Sequence, residues 1–217
     1  MNTFAGIQEA VADFRGGKFV LILDAERENE GDVAIAAEYV TASAVNFLAT
    51  HARGLICMPM LGERLDHLGI PPMVSDAPSG APAFTVSVDA RRGITSGISA
   101  EDRAWTVKTL IHPLAQRNDL ERPGHMFPLR YAEGGVLRRA GHTEASVDLA
   151  MLAGCYPAAV ICEVMNADGT MARLPQLQLF AREHCITMIS LEQLIAHRRW
   201  LDRVADDVRQ AVGGLVR

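Results

Sequence analysis

Phe19-Val-Leu-Ile-Leu-Asp-Ala-Glu-Arg-Glu-Asn-Glu-Gly-Asp-Val-Ala-Ile-Ala-Ala37 is the stretch that decides the fold. Phe19 to Leu23 is wholly apolar, as a strand buried on both faces requires. Val33 to Ala37 reads as a second strand, returning from a polar loop over Asp24 to Asp32. Two buried strands holding a polar loop between them put a sheet at the centre of the molecule. Helices flank the pair. Phe4, Ile7, Val11 and Phe14 recur at helical spacing up to a Gly16-Gly17 stop, and Thr41 can cap a helix reaching about His51.

Further along, Leu55 to Met60 is strand-like and Leu61 to Leu68 a short helix. Gly69 to Pro82 is a loop rich in Pro, Gly and Ser, long enough to suggest a functional role. Phe84 to Asp89 alternates as a strand does. Ser99 can cap a helix to about Ile111, and Arg122-Pro-Gly124 predicts a turn before a strand over His125 to Tyr131. Thr143 to Ala153 reads as a helix and Ala159 to Met165 as a strand. Asn166-Ala-Asp-Gly169 is a hairpin turn into Thr170 to Ala172. Pro175 to His184 is a helix and Ile186 to Ile189 a strand. Ser190 with Gln193 makes a capping box opening a long last helix, in which Leu201, Val204 and Val208 share one face. Strands and helices alternate, but hairpins break the βαβ rhythm. The expected fold is α+β: a three-layer α/β/α domain with a mixed twisted sheet, one domain spanning 1–217 with its core over about 5–200 and a helical extension at the C-terminus.

The 217 residues are 49% apolar, enough for a sizeable core, and carry a net charge of −5 with 22% charged residues. That excludes a disordered polyelectrolyte and gives no basic stripe for nucleic acid. The longest apolar run, Leu149 to Cys162, is broken by Gly154 and Pro157 and too short to span a bilayer. Met1 to Gly17 has no signal-peptide pattern. None of the four cysteines forms a C-x-x-C pair, so they read as reduced thiols, mostly in the core of a cytoplasmic protein.

Four segments could carry chemistry. In Asp24 to Asp32 the acids alternate (Glu26, Glu28, Glu30, Asp32), and extended backbone would aim a subset of them to one side. Converging carboxylates need a cation, and hard oxygen ligands favour Mg²⁺. A solvated acidic loop would read the same way. Arg138-Arg-Ala-Gly-His-Thr-Glu144 precedes a helix: Gly141 permits close backbone approach, Thr143 and nearby N–H groups can face an anion, and Arg139 can add a bidentate phosphate contact. An ordinary capped helix with surface arginines also fits. His142 in that turn could supply the nitrogen ligand that the acidic loop lacks. His125, straight after Pro-Gly at a strand end, is stiffly seated for a general base or is an edge histidine. Glu163, among apolar residues, faces solvent or is held for proton transfer.

Taken in order, these pieces resemble the 3,4-dihydroxy-2-butanone 4-phosphate synthase family. The resemblance rests on Asp24 with Arg27-Glu-Asn-Glu-Gly-Asp32, Phe84-Thr-Val-Ser-Val-Asp89, Gly93 to Ser99 with Asp102-Arg103, Arg122-Pro-Gly-His-x-Phe-Pro-Leu129, Arg139-Ala-Gly-His-Thr-Glu-Ala145 and Cys162-Glu163. It covers roughly residues 5 to 200. It implies a lyase that turns D-ribulose 5-phosphate into L-3,4-dihydroxy-2-butanone 4-phosphate and formate, uses Mg²⁺ (or Mn²⁺), and works as a homodimer with active sites near the subunit interface. Carried over, Glu28 and His142 are the metal ligands. Arg27, Glu28, Asp32, Glu163 and the run Arg139, Ala140, Gly141, His142, Thr143 contact substrate, with Arg139 and Thr143 near its phosphate. His125, Glu163 and Glu30 form the catalytic acid–base set. Three departures are modest: Ala25 stands where relatives often have an acid, Ser75 to Pro82 is unusually rich in Pro and Ala, and the last dozen residues run past the usual end. The chain lacks the zinc cysteines of the cyclohydrolase domain often fused to this one, so a single activity is expected. Two rival readings are another Mg²⁺-dependent sugar-phosphate lyase or isomerase, separated by formate release, and a non-catalytic nucleotide- or RNA-binding module, which the acidic charge disfavours.

Overall fold

The computed structural model describes residues 4–76, 78 and 80–213. In chain order the elements are α1 (Ile7–Arg15), β1 (Val20–Asp24), β2 (Glu30–Ala36), α2 (Ala42–Phe47), β3 (Cys57–Met60), α3 (Gly62–His67), β4 (Val88–Ala90), α4 (Ala100–Ile111), β5 (Leu120–Arg130), α5 (His142–Ala153), β6 (Ala159–Glu163), α6 (Leu174–Glu183), β7 (Thr187–Ser190) and α7 (Leu191–Gly213). The strands form one seven-stranded sheet in the order β4-β5-β3-β6-β2-β1-β7. It is mixed: β1 pairs antiparallel to β2 and parallel to β7, and β3 is parallel to β5 but antiparallel to β6.

Every residue of β1 is buried, because both sheet faces are covered. On one face α2, α3, α4 and α6 pack Val45, Leu65, Val107 and Leu177 against the sheet. On the other α1, α5 and α7 do the same with Phe14, Leu149 and Leu194. The expected three-layer α/β/α domain is therefore present. Burying each large apolar side chain is worth about 1.5–3 kcal/mol, so the two cores dominate the fold's stability.

The caps that could be read locally have formed. Thr41 Oγ1 accepts from Ala44 N, Ser99 Oγ accepts from Asp102 N, and Ser190 and Gln193 bond each other's backbone N–H groups reciprocally. Four expectations need correction. The acidic loop is shorter than Asp24 to Asp32, since Glu30 and Asp32 already pair as strand residues with Asp24 and Ile22. Arg122-Pro-Gly124 is not a turn but part of β5, with a cis Arg122–Pro123 bond and a register shift where β4 meets it. Of the strand expected at Phe84 to Asp89, only the end is regular; Phe84 and Thr85 make single bridges to Leu129 and Pro72. On α7, Val204 and Val208 face solvent rather than a core.

Candidate active site

One end of the sheet gathers the chemistry. The β1–β2 turn carries Glu28, and Asn29 there adopts φ 51°, a left-handed conformation that Asn tolerates. Two arginines hold the turn in place. Arg173 donates to the carbonyls of Glu28 (2.8 Å) and Asn29 (2.9 Å) and to Glu30 (3.3 Å), and Arg27 donates to the Ala140 carbonyl. On β2, Asp32 pairs with Glu163 at the end of β6, which puts both side chains on one sheet face. α5 begins at His142, and no side chain caps it at Gly141.

These pieces enclose a cavity of about 130 Å³ lined by Glu28, Glu30, Asp32, Cys57, Pro82, Phe84, Leu129, Arg139, Gly141, His142, Thr143, Ile161 and Glu163. Larger hollows, of about 550 and 650 Å³, lie along α4 at Trp105 and beside β7 at Met188 and hold none of the motif residues. The small cavity carries the chemistry.

His142 Nδ1 stands 3.6 Å from Glu28 Oε2 and 3.7 Å from Asp32 Oδ1. His142 Nε2, Asp32 Oδ1 and Asp24 Oδ2 are buried with no hydrogen-bond partner. Unsatisfied buried groups are costly, so this donor set fits a cation that would complete it. No three His, Cys, Asp or Glu side chains among the described residues converge as a closed metal cage. Glu28 and His142 would therefore supply two ligands and leave positions for water and substrate oxygens, as Mg²⁺ prefers. Burial alone would push His142 down, but Asp32 and Glu28 outweigh it and lift it to about 9. Burial, reinforced by Glu163, Glu28 and Glu30 and opposed by His142, pushes Asp32 up to about 7. Both shifts reflect crowding in one place: Glu28, Glu30, Asp32 and Glu163 share a space with one imidazole.

Beside them, Arg139 donates to Glu144 Oε2 (2.6 Å) and to the Gly80 carbonyl (3.0 Å), and its guanidinium lies where a Cβ on Gly141 would collide with it. Glu163 Oε2 accepts from Leu55 N (2.8 Å), packed on Gly54 so closely that a Cβ there would sit 2.5 Å from it. Burial pushes the Cys57 and Cys162 thiols well up, which keeps them as neutral core groups. Cys155 is half-buried and Cys185 exposed, so only half of the cysteines are core residues.

Of the residues singled out from sequence, Glu28, Glu30, Asp32, Arg139, Gly141, His142, Thr143 and Glu163 meet at this cavity. Arg27 and Ala140 meet each other at its edge. Glu26 is exposed and does not line it. His125 is also apart: its Nδ1 lies 2.7 Å from Asp89 Oδ2, and its side chain is 43% exposed. Phe127 and Ile161 both pair with Cys57 on strands that run in opposite directions, so His125, two residues before Phe127, and Glu163, two residues after Ile161, share one sheet face. Sequence reasoning missed Asp89, Glu144 and Arg173. Glu144 could have been suspected, five residues after Arg139 in the same motif. Asp89 and Arg173 act on partners 36 and about 145 residues away, and spacing carries no signal for those.

The sequence model of the 3,4-dihydroxy-2-butanone 4-phosphate synthase family matches residues 8–197. The chain is 55% identical over 204 residues to the riboflavin biosynthesis protein RibBA of Synechocystis sp., covering 92% of this chain and 37% of that protein. It is 50% identical over 213 residues to the 3,4-dihydroxy-2-butanone 4-phosphate synthase of Neisseria meningitidis serogroup A, covering 97% and 59%. The chain thus spans less than two thirds of either relative's length. A solved 3,4-dihydroxy-2-butanone 4-phosphate synthase in complex with two magnesium ions superimposes with a TM-score of 0.84 at 43% identity, over 89% of this chain and 96% of that one.

Proposed function

The chain belongs to the 3,4-dihydroxy-2-butanone 4-phosphate synthase family, and from that premise we propose that it converts D-ribulose 5-phosphate to L-3,4-dihydroxy-2-butanone 4-phosphate and formate for riboflavin synthesis. The observation that carries this reading is the cavity in which Asp32 and His142 leave a buried oxygen and a buried nitrogen unpaired, lined also by Glu28, Arg139 and Glu163. Glu28 and His142 would hold Mg²⁺ (or Mn²⁺), which supplies Lewis acidity toward substrate oxygens when bound.

The protein's own groups do the rest. Arg139, with the uncapped first turn of α5 at His142 and Thr143, holds the phosphate away from the reacting carbons. Arg27, Asp32, Ala140 and Gly141 contact the sugar. Glu163, Glu30 and His125 move protons, beginning with the one alpha to the carbonyl. Pro82 and Phe84, at the end of the long Gly69–Pro82 segment, wall the cavity and keep water from the reacting atoms.

Two features support a homodimer. The cavity is far smaller than the roughly 300 Å³ of an ordinary ligand pocket. Leu55, beside Glu163, and Ile98, beside the Gly97 that packs on His125, are exposed apolar residues at 42% and 53%. No helix among the described residues is long and apolar enough to cross a membrane, and a cytoplasmic location is part of the proposal.

The test is formate release from ribulose 5-phosphate, with and without a chelator. Turnover should vanish in chelator and return with Mg²⁺. Glu28→Gln and His142→Ala should each lose most activity while their melting curves stay cooperative. Full turnover in excess chelator, or ribulose 5-phosphate consumed without formate, would overturn the reading.

A further inference from the structure

The cavity accounts for most of the acidic side chains at this end of the sheet, but not for Asp89. Asp89 is 7% exposed and sits on β4, the edge strand. Both of its oxygens are used on one residue: Oδ1 accepts from the backbone N–H of His125 at 2.8 Å, and Oδ2 lies 2.7 Å from His125 Nδ1. Local structure is shaped to permit this. The register between β4 and β5 shifts at Val88/Asp89. Gly124 lets β5 come so close that a Cβ there would stand 2.2 Å from Asp89 N.

A turn lies over the pair. Gly97, at φ +85°, is packed so that a Cβ would come within 2.1 Å of Asp89 Oδ2 and 2.7 Å of His125 Nδ1. Asp102 fixes that turn. Its carboxylate accepts from Thr95 N (3.1 Å), Thr95 Oγ1 (2.9 Å), Ser96 N (3.1 Å) and Gly97 N (3.0 Å). The surroundings therefore leave the Asp89–His125 pair one arrangement.

A carboxylate accepts, so the imidazole nitrogen facing it carries the proton. The other nitrogen, Nε2, makes no hydrogen bond among the described residues, on a ring that is partly open to solvent. We propose that Asp89 is the positioning residue for His125: it holds the ring with its proton on Nδ1 and presents Nε2 as the nitrogen that exchanges protons with substrate. This rests on the reading of His125 as a proton-transfer group. A bare edge histidine has no need of a buried carboxylate committed to it twice.

The experiment has two independent arms. In the first, protein labelled with ¹⁵N-histidine reports the tautomer of His125, its signal assigned by its absence in His125→Ala. Wild type should show the Nδ1–H form. Asp89→Asn should lose that preference, since an amide can offer either an acceptor or a donor to Nδ1. In the second, formate release is measured for Asp89→Asn, His125→Ala and the double variant, with Mn²⁺ binding and melting curves alongside. Asp89→Asn should lower kcat at least tenfold with a smaller change in KM and unaltered Mn²⁺ binding. In the His125→Ala background the same change should have little further effect, because both act through one imidazole. An Nε2–H tautomer in wild type overturns the proposal even if the variants do not fold. So does an Asp89→Asn enzyme of full kcat beside a crippled His125→Ala. A His125→Ala enzyme of full kcat overturns instead the reading on which the proposal rests, and an Nδ1–H tautomer in that case shows that the catalytic role failed and not the geometry.

Discussion

Arg139 is held before it meets any phosphate. Glu144 is 1% exposed and accepts from both Arg139 Nη1 and Ala132 N, so the guanidinium is fixed against the floor of the site. Burial pushes the Glu144 carboxyl up and Arg139 pulls the other way. Arg139→Ala therefore leaves a carboxyl that can protonate rather than stand as an unpaired buried charge. A charge-assisted hydrogen bond is worth about 1.5–3 kcal/mol, so Arg139→Ala should raise KM for ribulose 5-phosphate roughly tenfold or more. Ground and transition states keep the same phosphate, so kcat should hardly change. A fall in kcat at constant KM would remove Arg139 from the phosphate. His142 gives a second prediction at this scale. Protonated below about 9, it must lose its proton to act as a ligand. Mn²⁺ affinity should therefore strengthen as pH rises from 6 toward 9, and Asp32, titrating at about 7, works in the same direction. Affinity flat across that range in titration calorimetry would show that no proton leaves His142 when the metal binds. The motif residues were legible because each carries its chemistry in its own side chain. The roles of Asp89 and Arg173 were not, since their partners lie 36 and about 145 residues away and are brought to them only by the fold.

Elements whose signals are local were read close to their true bounds. Thr41, Ser99 and the Ser190–Gln193 pair cap helices through bonds spanning three residues, and such bonds are visible in sequence. The β4–β5 region was not legible, because its shape depends on pairing. Pro123 and Gly124 look like a turn in isolation, but β3 pairs with β5 only from Phe127 to Arg130, so the strand accepts a Pro before that point, and the Gly is needed for close approach to β4. The turn over Thr95 to Gly97 is the element on which this edge depends. Burial would raise the Asp102 carboxyl, but donors from Thr95 and Gly97 outweigh it and hold it below its ordinary value. Its stabilising contribution is thus present above the unfolded carboxylate pKa and is lost as pH falls through the depressed folded value. Asp102→Asn should lower the urea midpoint by a constant amount between pH 7 and 5, with the deficit narrowing only below about 4. A deficit that already narrows between pH 7 and 5 would mean that the folded carboxyl is not depressed.

At the scale of the whole molecule, the sheet brings His125 and Glu163 to one face but gathers only Glu163 into the cavity. Composition and periodicity have nothing to say about that division; it follows from two intervening strand steps and from β4 closing over β5. Exposed Leu55 and Ile98 border the two halves. If a second copy covers that surface, burying these side chains must outweigh the freedom lost on association, and a charge placed there would reverse the balance. Ile98→Glu should then shift the chain from dimer to monomer in sedimentation equilibrium and lower formate release. Mn²⁺ binding should survive, because Glu28 and His142 meet within one chain. The substitution tests both parts of the idea. A monomer of undiminished activity would show that one chain completes its own site. A dimer that persists in the Ile98→Glu variant would show that the copies meet elsewhere.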